Sequence, residues 1–264
     1  YIGGVLDGCP SNITIDMDII NHDLLRRNPK TFFSTARIET DQVEIISGIF
    51  DGKTLGTPIA FLIKNTAQRS EDYEILKHCF RPSHADYTYQ TKYGIRDYRG
   101  GGRASARETA ARVVAGSIAK QILQQHGITI FAFTSAIGKI EVDKDYKMLD
   151  LNLRDTNALY CPDSDKVQDM QTHLKEVADN DDSVGGIMET AIVGVPAGVG
   201  EPWFDSVESM LSHALFSVGG IKGVEFGLGF GFADVNEKEA NDSFTVENGS
   251  IVTKTNNNGG INGG

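Results

Sequence analysis

Apolar residues recur at helical spacing in several segments of the chain, and shorter runs are rich in β-branched residues. The helical spacing predicts helices over residues 16–27, 105–125, 167–178 and 206–216. The β-rich runs predict strands over residues 43–50, 59–63, 128–133 and 184–195, and a Gly-rich strand pair over residues 221–232. Because helices and strands do not alternate regularly, the pattern favours an α+β fold over a doubly wound sheet.

Polar segments separate these elements. Residues 51–58 are predicted to connect two strands, residues 143–165 to form a surface excursion, and the Asn/Gly-rich residues 256–264 to lack regular structure. Two strand–Gly-x-Pro–helix units begin at Gly3 and Gly185. They indicate either a pseudo-repeated core or a common turn used twice.

Composition and charge narrow the possible functions. With 40% hydrophobic and 23% charged residues, the chain has the composition of a globular protein. A formal net charge of −11 argues against a nucleic-acid-binding protein, and no apolar run is long enough to predict a membrane span. Three widely separated cysteines are typical of a reducing compartment, so we expect a cytoplasmic protein.

The basic residues are not spread evenly. Five arginines fall within one short window, namely Arg96, Arg99, Arg103, Arg107 and Arg112. They predict a local cationic pocket on an acidic protein. Such a pocket suits a small multivalent anion better than a polymer.

Residues 99–109 combine three glycines with the start of a helix. Ser105 and Glu108 have the spacing of a capping box, which places the helix N-terminus just after Ser105. Glycines let the backbone approach a ligand closely, and a helix N-terminus attracts anions. With Arg103 and Arg107 on either side, the segment predicts an anion or phosphate site. In isolation, a Gly-rich turn with solvated arginines is the alternative.

Other candidate motifs are weaker. The Gly-Lys-Thr at residues 52–54 lacks the spacing of a nucleotide-binding P-loop, and Gly227, Gly229 and Gly231 predict closely packed strand backbone instead of a dinucleotide site. The six histidines show no spacing typical of metal ligands, so no metal site is predicted.

His84 differs from the other histidines in its surroundings. It lies in the turn Arg81-Pro82-Ser83-His84-Ala85-Asp86, with a cation before it and a carboxylate after it. An imidazole beside anion-binding arginines can act as a proton donor. A turn histidine that caps backbone groups is the alternative.

Residues 81–109, RPSHADYTYQTKYGIRDYRGGGRASARET, resemble the signature of the chorismate synthase family. Further segments resemble the family in the same order along the chain, namely residues 41–43, 47–50, 52–59, 182–186, 194–202, 221–225, 241–242 and 255–264. The resemblance therefore covers essentially the whole chain.

The resemblance implies a fold and an activity. The fold would be α+β with a β–α–β sandwich core, and the protein would form a homotetramer. The reaction would be the 1,4-elimination of phosphate from 5-enolpyruvylshikimate 3-phosphate to give chorismate, the last step of the shikimate pathway. It requires reduced FMN that is not consumed overall, and whether NADPH reduces that flavin is left open.

The resemblance also implies roles for individual residues. His84 would be the catalytic proton donor that works with the flavin. The substrate anions would be bound by Arg27, Arg81 and Arg107. The flavin would be lined by Arg103, Ala104, Ser105, Gly219, Gly220 and Gly263.

Several departures from the family pattern bear on activity. The family's N-terminal Gly-Glu-Ser-His-Gly segment would precede Tyr1, and its C-terminal part would follow Gly264. We therefore predict one domain over residues 1–264, truncated at both ends relative to the family and not expected to be active alone. Lys30 stands where the family usually has Gly. A catalytically inactive flavin- or anion-binding relative is the alternative function.

Overall fold

The computed structural model describes residues 1–27, 41–65, 73–99 and 105–264. The chain divides into two compact units, Tyr1–Val195 and Pro196–Gly264. Each unit is described by itself below.

The first unit begins with a three-stranded antiparallel sheet. Its order is β1 (Ile2–Leu6), β5 (Ile59–Ile63) and β2 (Val43–Ile45). Alternate residues of β5, Ile59 and Phe61 among them, are at most 2% exposed. The β-branched pattern of this strand therefore supplies one buried face of the core.

Two helices cover that buried face. These are α1 (Met17–Arg26) and α3 (Thr109–Gln125). Their apolar residues at helical spacing are fully buried or nearly so, namely Ile20, Leu24, Ala110, Val114 and Ile118. Both predicted helices are confirmed, because each places its apolar stripe against the sheet.

A second antiparallel sheet completes the first unit. Its order is β7 (Ile140–Glu141), β6 (Thr129–Ile137) and β8 (Gly186–Val193). Helix α3 contacts β1 of the first sheet and β6 of the second, while α4 (Ser164–Ala178) contacts β7. A helix between strands of two antiparallel sheets agrees with the predicted α+β class and β–α–β core.

Residues 51–58 are more regular than a simple connection. Strands β3 (Ile49–Phe50) and β4 (Lys53–Thr54) form a hairpin. Asp51 and Gly52 turn the chain with φ angles of 48° and 71°. Positive φ at both turn residues is the geometry that two-residue hairpins prefer. The Gly-Lys-Thr sequence therefore belongs to a hairpin, as expected from its failure to match a P-loop.

A short helix was not predicted from the sequence. Helix α2 (Asp86–Tyr93) follows the turn that contains His84 and ends at Gly94, whose φ is 74°. Its apolar residues show little helical periodicity, so the hydrophobic pattern carried no signal for it.

The polar segment 143–165 is only partly a surface excursion. It contains the 3₁₀ turns Tyr146–Met148 and Leu151–Thr156, and then becomes buried at Cys161 and Asp163, which are 1% and 3% exposed. Asp163 caps α4 by accepting the backbone N–H of Asp165, which accounts for a buried carboxylate at this position.

The second unit contains two helices and a hairpin among its regular elements. These are α5 (Val207–Phe216), α6 (Glu237–Ala240), β9 (Phe244–Glu247) and β10 (Ser250–Thr253). Helix α5 confirms its prediction, whereas the β9–β10 hairpin was missed. Its turn, Asn248-Gly249, is a strong local hairpin signal.

The Gly-rich strand pair predicted over residues 221–232 is wrong. Gly227 and Gly229 have φ angles of 58° and 53°, and a 3₁₀ turn spans Gly229–Asp234. These left-handed conformations are incompatible with a strand. The prediction of close packing still holds, because a Cβ on Gly227 would lie 1.9 Å from the carbonyl oxygen of Asn257.

Candidate functional site

The helix start at Ser105 has the predicted position. Ser105 Oγ accepts the backbone N–H of Arg107 at 3.2 Å, and a 3₁₀ turn over Ala106–Glu108 leads into α3. The carboxylate of Glu108 pairs with Arg112 Nη1 at 3.0 Å. The loop before Ser105, including Arg103 and Ala104, lies outside the described residues.

Two of the predicted substrate-binding arginines meet on one carboxylate, that of Asp41. Arg107 donates from both terminal nitrogens, with Nη1 2.7 Å from Asp41 Oδ2 and Nη2 bonded to Oδ1. Arg27 Nη1 lies 3.0 Å from the same Oδ2, and its Nη2 donates to Thr109 Oγ1 at 3.1 Å. The side chain of Asp41 is 2% exposed.

This Asp41 cluster, consisting of Arg27, Asp41 and Arg107, joins three separate parts of the chain. Arg27 caps the C-terminus of α1, Asp41 precedes β2, and Arg107 lies at the start of α3. Two guanidinium groups share one carboxylate, so the cluster has a net positive charge. The pairing also fixes the orientation of both arginines.

Arg81 belongs to a second cluster, built on Asp86. Arg81 Nε and Nη2 donate to Asp86 Oδ2 and Oδ1 at 2.8 and 3.1 Å, and its backbone N–H donates to Oδ2 at 3.2 Å. Arg96 Nη1 lies 3.3 Å from Asp86 Oδ1. The Asp86 side chain is 4% exposed.

The Asp86 cluster, consisting of Arg81, His84, Asp86 and Arg96, also carries more positive than negative charge. The hydrogen bonds from Arg81 hold the pKa of the Asp86 carboxyl far below its usual range, although burial opposes this. The same hydrogen bonds raise the pKa of Arg81. The carboxylate and the guanidinium therefore stay ionised at neutral pH.

His84 lies inside the Asp86 cluster. Its Nδ1 is 3.1 Å from Asp86 Oδ1 and 3.2 Å from Arg81 Nη2. The side chain is 24% exposed, so the ring is not enclosed by the described residues. The cation and the carboxylate that flank His84 in the sequence are thus both within hydrogen-bonding distance of it.

Ser83 holds the turn before His84 in a strained conformation. Its φ of 57° lies in the left-handed region, which costs an L-residue about 1–2 kcal/mol. We expect Ser83→Gly to raise the free energy of unfolding by up to about 1 kcal/mol, since glycine relieves the strain but adds entropy to the unfolded chain. Urea denaturation measures the change.

Ser183→Gly is the matched control, because Ser183 is exposed and does not have a positive φ. That variant should lose up to about 1 kcal/mol of stability through the same entropy effect. A Ser83→Gly protein less stable than the parent would contradict the assignment of strain to Ser83.

The other arginines of the window have partners of their own. Arg99 pairs with Asp97 at 2.9 Å and is 60% exposed, and Arg112 pairs with Glu108. The alternative of solvated arginines over residues 99–109 fits Arg99 but not Arg107, whose side chain is 7% exposed. Arg96, just before this segment, is also 7% exposed. The window therefore contributes to both clusters.

The predicted flavin-lining glycines Gly219, Gly220 and Gly263 lie in the second unit. Gly220 and Gly263 have φ angles of 95° and 82°. A Cβ built on any of the three would meet no atom within 4 Å. Their backbones are therefore accessible to a ligand, as a flavin-lining role requires.

The described residues contain neither a candidate metal centre nor a candidate membrane-spanning helix. They contain no group of three or more His, Cys, Asp or Glu side chains placed to hold a metal ion. Within the same residues, no helix is long and apolar enough to cross a membrane.

Sequence reasoning did not assign Asp41 a role. Asp41 lies 66 positions from Arg107, so no local spacing connects the two residues. Arg96 and Asp86 were both noticed in the sequence, one in the arginine window and the other beside His84, but nothing joined them. Their contact depends on the path of the chain between Asp86 and Arg96.

Known proteins with similar sequences decide the family. The family model for chorismate synthase matches residues 1–264. The chain belongs to the chorismate synthase family. The chorismate synthase of Phocaeicola vulgatus is 48% identical over 264 residues, all of this chain and 74% of that protein. The chorismate synthase of Christiangramia forsetii is 51% identical over all of this chain and 73% of its own length.

A solved structure agrees with the sequence comparison. A crystal structure of a chorismate synthase matches 99% of this chain and 76% of its own chain, with a TM-score of 0.82 and 33% identity. The predicted family and the α+β fold class are therefore confirmed. Family membership places the chain among the lyases and gives it a small-molecule substrate.

Proposed function

We propose that the protein catalyses the 1,4-elimination of phosphate from 5-enolpyruvylshikimate 3-phosphate to give chorismate, as a carbon–oxygen lyase acting on phosphates. The observation that carries this proposal is the pair of arginine clusters in a member of this family. Each sets two guanidinium groups on one buried carboxylate. Their net positive charge suits a substrate with one phosphate and two carboxylates.

Arg27, Arg81 and Arg107 would bind the anionic groups of the substrate. Each arginine is already oriented by a carboxylate, so little conformational freedom remains to be lost on binding. The acidic partners are buried and do not themselves face the substrate as exposed negative charges. This arrangement supports strong binding of a multivalent anion by a protein whose formal net charge is −11.

His84 would donate a proton to the bound flavin, and this proton is distinct from the one that the substrate loses. A 1,4-elimination removes the phosphate and a proton from opposite ends of a four-carbon unit and leaves a new double bond. Within the described residues, both recorded contacts of the ring are made by Nδ1. Nε2 is the nitrogen that remains to exchange a proton with bound groups.

The reaction requires a reduced flavin that it does not consume, and this flavin would be FMN. The residues proposed to hold it are Ser105 at the N-terminus of the 17-residue α3 and its 3₁₀ turn, the preceding Arg103 and Ala104, and Gly219, Gly220 and Gly263. A helix N-terminus, which attracts anions, and three glycines with open space around them fit a flat, anionic cofactor.

FMN is expected to bind the full-length protein that contains these residues, and to bind more tightly when the substrate is present. Bound substrate would close the pocket and exclude water, which strengthens the polar contacts to the flavin. A titration of flavin absorbance with and without substrate measures the two Kd values. Inorganic phosphate in place of substrate is the control, and an absence of any spectral change would contradict the flavin assignment.

The reaction itself is tested by anaerobic turnover with reduced FMN and 5-enolpyruvylshikimate 3-phosphate, with chorismate and phosphate both quantified. Repeating the assay with oxidised FMN and NADPH, with and without a flavin reductase, tests whether the protein reduces its own flavin. A protein that binds flavin and substrate but forms no chorismate would be the inactive relative.

Four expectations from the sequence stay predictions, namely the homotetramer, the single truncated domain, the pseudo-repeat and the cytoplasmic location.

A further inference from the structure

The Asn/Gly-rich residues 255–264, called the 255–264 loop below, are held at their start by one carboxylate, that of Asp242. Asp242 Oδ1 accepts hydrogen bonds from Thr255 Oγ1 at 2.6 Å and from the backbone N–H of Asn257 at 2.7 Å. Asp242 Oδ2 accepts the backbone N–H of Asn258 at 2.8 Å. Hydrogen bonds to a carboxylate are shorter and stronger than those between neutral groups, so Asp242 fixes the path of the chain here.

Asn257 ties the same part of the loop to other segments of the second unit. Its side-chain amide donates to the carbonyl oxygens of Glu239 and Ala240 at 2.9 and 3.1 Å, at the end of α6. Its own carbonyl oxygen accepts the backbone N–H of Leu228 at 2.7 Å. The start of the loop is therefore held both by α6 and by the Gly-rich segment that contains Leu228.

The loop continues from this start in hydrogen-bonded turns. The backbone N–H of Ile261 donates to the carbonyl oxygen of Asn258 at 3.2 Å. The side-chain amide of Asn258 donates to Asn262 Oδ1 at 3.0 Å. The next residue is Gly263, which is proposed above to line the flavin. A series of hydrogen bonds thus connects the carboxylate of Asp242 with the residue before Gly263.

A glycine-rich loop binds a ligand tightly when its conformation is already fixed in the free protein. The 255–264 loop contains four glycines, and all four have positive φ angles. Glycine loses more conformational freedom than any other residue when it is ordered. If this ordering took place only on binding, the lost entropy would weaken the affinity. Because Asp242 orders the loop in the folded protein, most of that loss precedes binding.

We propose that Asp242 is a positioning residue for the flavin: its carboxylate holds the 255–264 loop in the shape that presents the backbone of Gly263 to FMN. This inference rests on the proposed function, since the flavin-lining role of Gly263 belongs to it. The hydrogen bonds to Asp242 do not depend on that function. Sequence reasoning gave Asp242 no role, because its partners lie 13 to 16 positions further along the chain.

Asp242→Asn tests the proposal in the full-length protein. The amide keeps the size of the side chain, but its NH₂ group faces at least one donor of the loop in place of an acceptor. We expect faster amide hydrogen exchange at Asn257 and Asn258, since exchange reports local opening. The Kd for FMN should rise about 10- to 100-fold, as expected when hydrogen bonds to a charged group are lost. A flavin fluorescence titration of folded protein measures the Kd.

Asp234→Asn is the matched control, because Asp234 is an exposed aspartate of the same unit. It should leave both the exchange at Asn257 and Asn258 and the Kd for FMN unchanged. If Asp242 only stabilises the fold, Asp242→Asn should lower the free energy of unfolding and keep the parent's Kd. That result would overturn this inference alone, as would unchanged exchange at the two amides. A parent that binds no FMN would contradict the flavin assignment and this inference together.

Thr255→Val decides the question if Asp242→Asn does not fold. It removes one donor to the carboxylate and leaves the two backbone hydrogen bonds in place. We expect the Kd for FMN to rise about 3- to 10-fold, the effect of one lost hydrogen bond. Thr255→Ser keeps the hydroxyl and should bind FMN as the parent does. Parental affinity in Thr255→Val would then overturn the inference.

Discussion

Replacing His84 with alanine is expected to lower the turnover number about 10²- to 10⁴-fold, the usual contribution of a general acid–base residue. Folding and flavin binding should survive. His84 is 24% exposed and fills no part of the buried core, so its removal leaves no large cavity. Turnover per folded molecule and the free energy of unfolding are measured on the same preparation.

His22→Ala is the control for this prediction. His22 is an exposed residue of α1, and its removal should leave turnover unchanged. If His84 only caps the turn, its alanine variant should lose stability and keep its rate per folded molecule. Near-normal turnover in folded His84→Ala protein would end the catalytic assignment.

Arg107→Ala is expected to weaken substrate binding by about 1.5–3 kcal/mol, or roughly ten- to a hundred-fold in Kd. The variant removes a charge-assisted contact to a buried anion. It should also destabilise the fold, because the Asp41 carboxylate stays buried and, among the described residues, keeps Arg27 but loses its forked pairing with Arg107. Arg107→Lys should restore only part of the affinity, since lysine cannot form the forked contact that Arg107 makes with Asp41.

Lys120→Ala is the control that separates the effect of Arg107→Ala on substrate binding from its effect on stability. Lys120 pairs with Asp23, another largely buried carboxylate of the first unit. This control should lose stability without losing affinity for the substrate. Calorimetric titration of folded protein measures the affinity, and normal substrate binding by Arg107→Ala would show that Arg107 serves only the fold.

The ion pairs of the two arginine clusters change the interpretation of the arginine-rich window, residues 96–112. A run of arginines in an acidic sequence predicts a local cationic pocket, but the buried arginines of the window, Arg96 and Arg107, form ion pairs with carboxylates. Arg107 shares Asp41 with Arg27, and Arg96 shares Asp86 with Arg81. Among the described residues, each cluster sets two arginines against one carboxylate. Substrate affinity should depend on Asp41 and Asp86 as well as on the arginines.

Local sequence determined those elements whose causes lie within a few residues. The apolar spacing of α1 and α3, the β-branched residues of β5 and the helix start at Ser105 were all predicted correctly. Asn248-Gly249 shows that a further local signal was present, because it specifies the β9–β10 hairpin. The strand pair predicted for residues 221–232 is wrong because of a contact between residues far apart in the sequence. The backbone of Gly227 packs against Asn257, thirty positions away along the chain.

The sequence by itself determined the family and named His84, Arg27, Arg81 and Arg107 as candidates, because those residues lie in recognisable motifs. Only the tertiary structure decided which of them meet. Arg27, Asp41 and Arg107 come together because α1 and α3 pack side by side on the first sheet, and that packing depends on apolar surfaces far apart in the chain. Charged side chains carry no periodicity that predicts such a meeting. Their partners are settled by where hydrophobic burial places the backbone, and the ion pairs then form between the groups brought within reach.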